Sequence, residues 1–262
     1  MDVTLMLKKQ ENAYWCIVKD RSLYLENQSL PFGCAKDLNF DTAGARLIGH
    51  YQNHPVYWLE APEQADSGDF YSQRELLSVE PELFQLAGRA TQLSHMLHTQ
   101  QFCPQCGAQC HYGETEVAMV CSGCHTPHYP RVSPCVIVAV RKDDKILLAQ
   151  HPRHKTGMYT VIAGFVEAGE TLEQCVAREI KEETGIEVEN IRYFGSQPWA
   201  FPSNLMMAFL ADYAGGALRP DYAELTDALW ATAETLPEVA PKGTIARSLI
   251  DHTLILMAGS QA

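Results

Sequence analysis

The sequence predicts a protein of mixed α and β structure, with a small β-rich domain first and an α/β domain last. Short apolar runs separated by turn-forming segments fill the chain up to about residue 95, which is typical of short strands. Two Cys-x-x-Cys pairs follow, and after Pro134 longer apolar runs alternate with stretches of helical spacing. We therefore expect a β-rich domain over 1–98, a cysteine module over 99–130 and an α/β domain over 131–262.

In the first domain, the apolar runs Trp15–Val18, Leu23–Leu25 and Val56–Leu59 predict strands. The stretch Pro81–His98 has apolar residues at a spacing closer to helical than to alternating. It predicts a helix that leads into the cysteines.

Composition limits the class of protein. A chain of 262 residues with 46% hydrophobic residues can bury a core in one large or two modest domains. No stretch approaches the roughly 20 apolar residues of a membrane helix, and Lys8, Lys9 and Glu11 stand where a signal peptide would be apolar. We expect a cytoplasmic protein without a membrane partner. The net charge of −12 argues against nonspecific coating of nucleic acid, although a local basic patch remains open.

The cysteines predict a metal site. Of nine cysteines, four form two pairs, Cys103 with Cys106 and Cys121 with Cys124. This spacing lets four sulfurs converge on one Zn²⁺, and a closed four-thiolate site leaves no position for water. We expect one structural zinc per chain. A redox pair or unrelated buried thiols are the alternatives, and substitution by nearby Cys110, His111, His125 or His128 is disfavoured by spacing.

The last domain shows the pattern of a mixed sheet with helices. Strands are predicted by five apolar runs, Cys135–Val140, Lys145–Ala149, Tyr159–Val166, Met206–Ala211 and Ala228–Ala231. Helices are predicted at Leu172–Thr184 and at Thr244–Met257. In the first of these, Thr171 with Gln174 resembles a capping box, and Gly185 is a good terminator.

The helix Leu172–Thr184 places acidic residues where apolar residues are expected. At 100° per residue, Glu179 and Glu183 project into the apolar stripe formed by Leu172, Cys175, Val176 and Ile180. A solvated acidic face is the common alternative, but inward carboxylates are costly unless protonated, paired or bound to cations. Their spacing suits Mg²⁺ or Mn²⁺. Arg178, just outside the stripe, is expected to hold Glu170 by a bidentate contact.

This segment resembles the box of the Nudix hydrolase family, Gly-x5-Glu-x7-Arg-Glu-aliphatic-x-Glu-Glu-x-Gly-aliphatic. Every fixed position is filled, by Gly164, Glu170, Arg178, Glu179, Ile180, Glu182, Glu183, Gly185 and Ile186. The resemblance implies a Nudix α/β/α sandwich and hydrolysis of a nucleoside diphosphate linked to another group. It implies catalytic Mg²⁺ or Mn²⁺ held by Glu179, Glu183, Glu224 and the carbonyl of Ala163.

A second segment, from Ser196 to Met206, is similar to the signature of the NADH pyrophosphatase subgroup, which also contains enzymes that remove NAD caps from RNA. The order of an N-terminal domain, a zinc ribbon and a Nudix domain is similar too, so the resemblance covers nearly the whole chain. Two prolines are expected to stiffen this segment as a loop, so that its aromatic rings are ready for stacking. The resemblance implies substrate contacts by Arg74, Glu116, Tyr129, Gln197, Pro198, Trp199, Ala200, Phe201, Pro202, Ser203, Asn204 and Ala246.

The resemblance implies hydrolysis of NAD(H) to nicotinamide mononucleotide and AMP, removal of NAD caps from RNA, and a homodimer. Either Glu182 or Glu183 is expected to accept the proton of the attacking water, and the sequence does not choose between them. Two alternatives stay open at this point, a broad dinucleotide or ADP-ribose hydrolase and a noncatalytic regulator that binds nucleic acid. The complete box argues against the second.

Overall fold

A computed structural model describes residues 11–77, 80–152 and 157–259, so Lys8 and Lys9 lie outside the described residues. The chain divides into two compact units. The first comprises the residues up to Val132 together with Ala200–Ser203, and the second comprises Ser133–Trp199 and the residues from Asn204 onward. No helix among the described residues is both long and apolar enough to cross a membrane.

The first unit begins with a mixed sheet. Its strands are β1 (Ala13–Lys19), β2 (Ser22–Tyr24), β3 (Phe32–Gly33), β4 (Arg46–Tyr51), β5 (His54–Glu60) and β6 (Phe70–Tyr71). They lie in the order β4-β5-β1-β2-β6, with β3 paired to β1. The predicted runs form β1, β2 and β5, and β1 pairs with β5 in parallel. Trp15 and Trp58 are buried in this sheet, which explains the apolar runs.

One helix follows the sheet. Helix α1 (Pro81–Thr99) begins with a proline in its first turn, where the missing N–H is not needed. It buries Leu83, Phe84, Leu93 and Met96. The predicted helix is therefore confirmed, with its end one residue later than expected.

The cysteine module contains three short antiparallel strands, β7 (Cys110–Tyr112), β8 (Met119–Cys121) and β9 (Pro127–His128). The sequence indicated only turns here, because strands of two or three residues are too short to show a period. Their pairing brings Cys121 opposite Cys110.

The second unit is built on a mixed sheet. Its strands are β10 (Ser133–Lys142), β11 (Lys145–Gln150), β12 (Ile162–Phe165), β13 (Glu187–Trp199), β14 (Asn204–Gly215) and β15 (Asp227–Ala231). The order is β13-β14-β10-β11-β15, and β12 also pairs with β10. Strand β10 is parallel to β14 and antiparallel to β11 and β12.

Helices cover both faces of this sheet, as expected for an α/β/α sandwich. On β10, Val136, Val138 and Val140 pack toward α2 (Leu172–Thr184). The alternate residues Cys135, Ile137 and Ala139 pack toward α3 (Ile245–Gly259). A strand buried on both faces has no polar alternation, and this is why Cys135–Val140 reads as a continuous apolar run.

Two sequence expectations differ from the structure. Strand β12 is only Ile162–Phe165, while Tyr159 and Thr160 form isolated bridges. The loop expected over residues 196–206 is shorter in the structure, because strands occupy both of its ends. Gln197–Trp199 complete β13, and the first two of these residues pair with Met206 and Leu205 of β14. Pro198 is tolerated there because β13 is an edge strand.

Candidate active site and zinc centre

Gly164 makes room for the carboxylate of Glu179. It lies on β12 opposite Val136, and α2 crosses above it. A Cβ built on Gly164 would lie 1.8 Å from Cδ of Glu179, so that any side chain there would displace the carboxylate. The first glycine of the box is therefore explained by close approach of an acidic group to the strand.

Arg178 gathers three carboxylates. Its Nε and Nη2 donate to the two oxygens of Glu170 at 2.7 and 2.9 Å, which confirms the expected bidentate contact. Its Nη1 donates to Glu179 at 2.8 Å and to Glu182 at 3.0 Å. The hydrogen bonds from Arg178 lower the pKa of Glu170 to about 2, and they raise the pKa of Arg178 itself. Arg178 is thus a fixed cation at the edge of the acidic cluster.

Glu183 is the most buried acid of the helix, at 3% exposure. Its Oε2 lies 3.9 Å from Nε2 of His151, which is also buried. His151 follows β11 directly and was not among the residues singled out in the sequence. A lone histidine after a strand carries no signal there, because only the fold brings it to α2.

The turn that follows β14 carries Glu224. Arg219 N–H donates to Thr184 O and Asp221 N–H donates to Glu183 O, each at 2.8 Å, so the C-terminal end of α2 holds this turn. Burial raises the pKa of Glu179, Arg178 lowers it, and the charges of Glu182 and Glu224 raise it further. The charge of Glu224 therefore raises the pKa of Glu179, although the two residues are far apart in the sequence.

These acids fit a hard divalent cation in donor chemistry and in burial. A negative charge on Glu183 or Glu179 is costly at these largely buried positions, and a bound cation would offset that cost. Ala163 lies on β12 beside Gly164, so its carbonyl is on the strand that α2 covers. Within the described parts of the chain, the box carboxylates do not form a group of three or more whose ligand oxygens all lie within 4.8 Å, and Arg178 Nη1 contacts both Glu179 and Glu182.

The four paired cysteines do form such a group, with ligand atoms within 4.8 Å of one another. Cys103 Sγ lies 3.7 Å from Cys124 Sγ, and Cys106 Sγ lies 3.4 Å from Cys121 Sγ. Sulfurs in a tetrahedral zinc site are about 3.8 Å apart, given Zn–S bonds of about 2.3 Å. The cluster therefore suggests a structural zinc, and neither Cys110 nor a histidine belongs to it.

Backbone and hydroxyl donors support the thiolate form of two of these cysteines. Hydrogen bonds from Thr126 lower the pKa of Cys124 to about 6. Backbone N–H groups of Cys124 and Gly123 lower the pKa of Cys121, against burial. His128 Nε2 lies 3.3 Å from Cys103 Sγ and contacts the cluster from outside.

Three of the expected substrate residues lie in the second unit around the start of α3. Gln197 Nε2 donates to Gly243 O, and Ile245 N–H donates to Gln197 Oε1, each at 2.8 Å. Trp199 and Ala246 both pack with the core cluster on the α3 side of the sheet. Trp199 is therefore held by packing while one part of it stays exposed.

Other expected substrate residues lie in the first unit. On the cysteine module, Tyr129 is 56% exposed, and its hydroxyl donates to Glu116 at 2.6 Å, which raises the pKa of Tyr129. Arg74 lies over the ring of Phe201 at 4.4 Å. The segment Ala200–Ser203, which includes Pro202, connects β13 to β14, and Asn204 begins β14.

The known proteins that are similar to this chain point to one family. A family model described as the NUDIX domain matches residues 130–252. A protein of Photobacterium profundum named NAD-capped RNA hydrolase NudC is 66% identical over 261 residues, which are 100% of this chain and 98% of that protein. Proteins of the same name from Vibrio vulnificus and Escherichia coli O1:K1 are 58% and 45% identical, and each match covers 96% of that protein.

Among solved structures, a NUDIX hydrolase from Nitrosomonas europaea is similar in fold. The TM-score is 0.51 at 27% identity, and the match covers 60% of this chain and 91% of that one. The chain is thus similar to curated proteins over nearly its whole length.

Proposed function

The chain belongs to the Nudix hydrolase family, and from that membership we propose that it hydrolyses the diphosphate of NAD(H) and removes NAD caps from RNA. The products are nicotinamide mononucleotide with AMP, or nicotinamide mononucleotide with a 5′-monophosphate RNA. The observation that carries the proposal is the Glu179 carboxylate seated over Gly164, beside the buried Glu183, in a chain with close relatives named for this reaction.

Each group of residues has its own role in the proposed reaction. Glu179, Glu183, Glu224 and the carbonyl of Ala163 would hold Mg²⁺ or Mn²⁺, and the ion would supply charge neutralisation at the diphosphate and lower the pKa of a water molecule. Arg178 fixes Glu170 and Glu179 so that the acids are arranged before the substrate binds. Glu182 or Glu183 takes the proton of the water that attacks one phosphorus, and the P–O bond to the other half of the diphosphate breaks.

The remaining expectations are part of the same proposal. Four cysteines hold one structural zinc, and residues 197–204 with Arg74, Glu116, Tyr129 and Ala246 contact the substrate. The protein works in the cytoplasm as a homodimer, as the resemblance implies.

Product analysis tests the reaction. The protein is incubated with Mn²⁺ and NADH, NAD, NAD-capped RNA, ADP-ribose or a diadenosine substrate, and the products are separated by chromatography. Mononucleotide should be released fastest from the first three. Faster turnover of ADP-ribose or the diadenosine compound would replace this proposal with a broad dinucleotide hydrolase.

Glu183→Gln tests the site, with the exposed Glu173→Gln on the same helix as its matched control. Glutamine keeps the shape but removes a negative charge from a buried position. Turnover should fall by orders of magnitude, while melting without divalent metal is unchanged or slightly raised. Wild-type turnover in Glu183→Gln would contradict the catalytic assignment.

A further inference from the structure

We propose that Gln73 is a positioning residue for substrate binding, because it fixes the segment Ala200–Ser203 of the substrate signature. This inference rests on the proposed function and deepens it. Gln73 is only 1% exposed, although it is polar and lies on the short 3-10 helix Gln73–Leu76, before α1. It belongs to the same compact unit as the segment.

Both the nitrogen and the oxygen of the Gln73 side-chain amide form hydrogen bonds. Its Nε2 donates to the carbonyl of Ala200 at 3.5 Å, across 127 residues of sequence. Its Oε1 accepts from the hydroxyl of Thr91 at 2.9 Å, on α1. Thr91 is 2% exposed and its Oγ1 also lies 3.0 Å from Gly88 O. A buried amide is costly without partners, so this chain of hydrogen bonds holds Gln73 in one orientation.

Close packing adds to the hydrogen bonds. A Cβ built on Gly88 would lie 3.5 Å from Cβ of Ala200, which is an ordinary van der Waals contact, so α1 runs beside the segment with room for about one added carbon. The next residue of the 3-10 helix, Arg74, lies over the ring of Phe201. Ala200 and Ser203 are 8% and 6% exposed. Two successive residues of one short helix therefore contact two successive residues of the segment.

This arrangement bears on affinity rather than on the chemical step. The segment starts directly after Trp199 and ends directly before Asn204, which pair with each other at the ends of β13 and β14. A segment that is already ordered loses less conformational freedom when a ligand binds to it. Loss of the Gln73 amide should therefore raise KM, while the carboxylates on α2 keep their geometry above β12 and kcat is retained.

The test compares Gln73→Met with Gln85→Met, which makes the same change at an exposed position of α1. We expect KM for NADH to rise about tenfold in Gln73→Met, which corresponds to one lost hydrogen bond, with kcat within about twofold of wild type. Thr91→Val, which removes only the hydroxyl that orients the amide, should raise KM in the same direction by less. It also serves as the test if Gln73→Met does not fold.

Hydrogen exchange without substrate provides a second readout that needs no turnover. A peptide covering residues 199–206 should exchange faster in Gln73→Met and Thr91→Val than in Gln85→Met. Unchanged exchange with unchanged KM would overturn the inference. If kcat and the melting temperature both fell while KM stayed unchanged, Gln73 would serve only in packing and not in substrate binding. A wild-type enzyme that does not turn over NADH would refute the proposed function, and the exchange result would still decide the role of Gln73.

Discussion

At the scale of single residues, the site depends on side chains that are missing as well as on those that are present. Gly164 has no Cβ, and the Glu179 carboxylate occupies that space. Glu179 is also held by Arg178 at 2.8 Å, so its position is determined from two sides. A carboxylate placed in this way does not have to reorganise when charge develops on the substrate.

Gly164→Ala should therefore damage catalysis with little effect on the sheet. Its methyl group would lie 1.8 Å from the Glu179 carboxyl carbon, so the carboxylate must move. We expect turnover of NADH to fall by about 100-fold, as when the support of a metal ligand is lost. Gly195→Ala is the matched control, because a Cβ at Gly195 meets nothing within 4 Å. Equal turnover in the two variants would show that the position of Glu179 is unimportant.

The residues that the sequence identified share a local pattern. Glu170 and Arg178 lie eight residues apart in one motif, so their contact could be predicted and is confirmed. His151 and Gln73 could not be found in this way. Each reaches its partner only through the fold, at Glu183 and at Ala200. A single histidine or glutamine outside a motif does not indicate which distant element it will meet.

At the scale of elements, Arg178 ties helix α2 to the segment before it. Its Nη2 donates to Phe165 O at 3.0 Å at the end of β12, while its fork holds Glu170 in the connection to the helix. The capping box of Thr171 with Gln174 begins the helix, and Gly185, at φ 74°, ends it. The predicted bounds of α2 are confirmed, since caps at both ends are local signals.

The ion pair between Arg178 and Glu170, called the brace below, should make the stability of the fold depend on pH. Its pKa is lowered to about 2 by Arg178, so the ion pair stabilises the fold above the ordinary carboxyl value of 4.5. That contribution is lost as pH falls from 4.5 toward 2. In urea unfolding, Glu170→Gln should have a lower free energy of unfolding than wild type at pH 7. The difference between the two free energies should become smaller below pH 4.5. Glu187→Gln, which removes an exposed pair with Lys181, should open little gap at all. A gap for Glu170→Gln that does not change with pH would contradict the brace.

Strand β13 shows where element prediction fails. Its thirteen residues contain none that is buried, because it lies at the edge of the sheet and, among the described strands, pairs only with β14. Without a buried face there is no need for alternating polarity, and the register also shifts at irregular points. Strand β10 is the opposite case, since burial on both faces makes it easy to recognise.

The cysteine module should lose stability with its metal. Cys121→Ser removes one of four converging thiolates, and zinc binding contributes to folding. We expect zinc content to fall and Tm to drop by roughly 5 to 10 °C, the effect of losing a few kcal/mol. Cys110→Ser is the control, because Cys110 is buried opposite Cys121 on β7 but lies outside the cluster. Full zinc content in Cys121→Ser, or zinc loss in Cys110→Ser, would refute the assignment.

At the scale of the whole molecule, the net negative charge of the protein repels the phosphates of the RNA that follows the cap. The chain carries a net charge of −12, with 32 acidic and 20 basic side chains, whereas RNA presents one phosphate per nucleotide. A protein that binds nucleic acid through its backbone releases counterions and weakens steeply as salt rises. Apart from Arg74 and Arg178, the charged and aromatic residues of the proposed site are acids and rings, which suits recognition of the cap rather than of the RNA body.

The salt dependence of KM should therefore separate recognition of the cap from recognition of the RNA. We expect KM for NAD-capped RNA at fixed Mn²⁺ to stay level or fall when monovalent salt rises from about 50 to 200 mM, because salt screens the repulsion. NADH, which has the diphosphate but no RNA, is the control for effects of salt on the site itself. RNAs of different length with the same cap should give similar KM values, because added nucleotides bring no net attraction. A rise in KM of about 1000-fold or more for the RNA alone, which is typical of proteins that neutralise many phosphates, would show that a local basic surface outweighs the net charge.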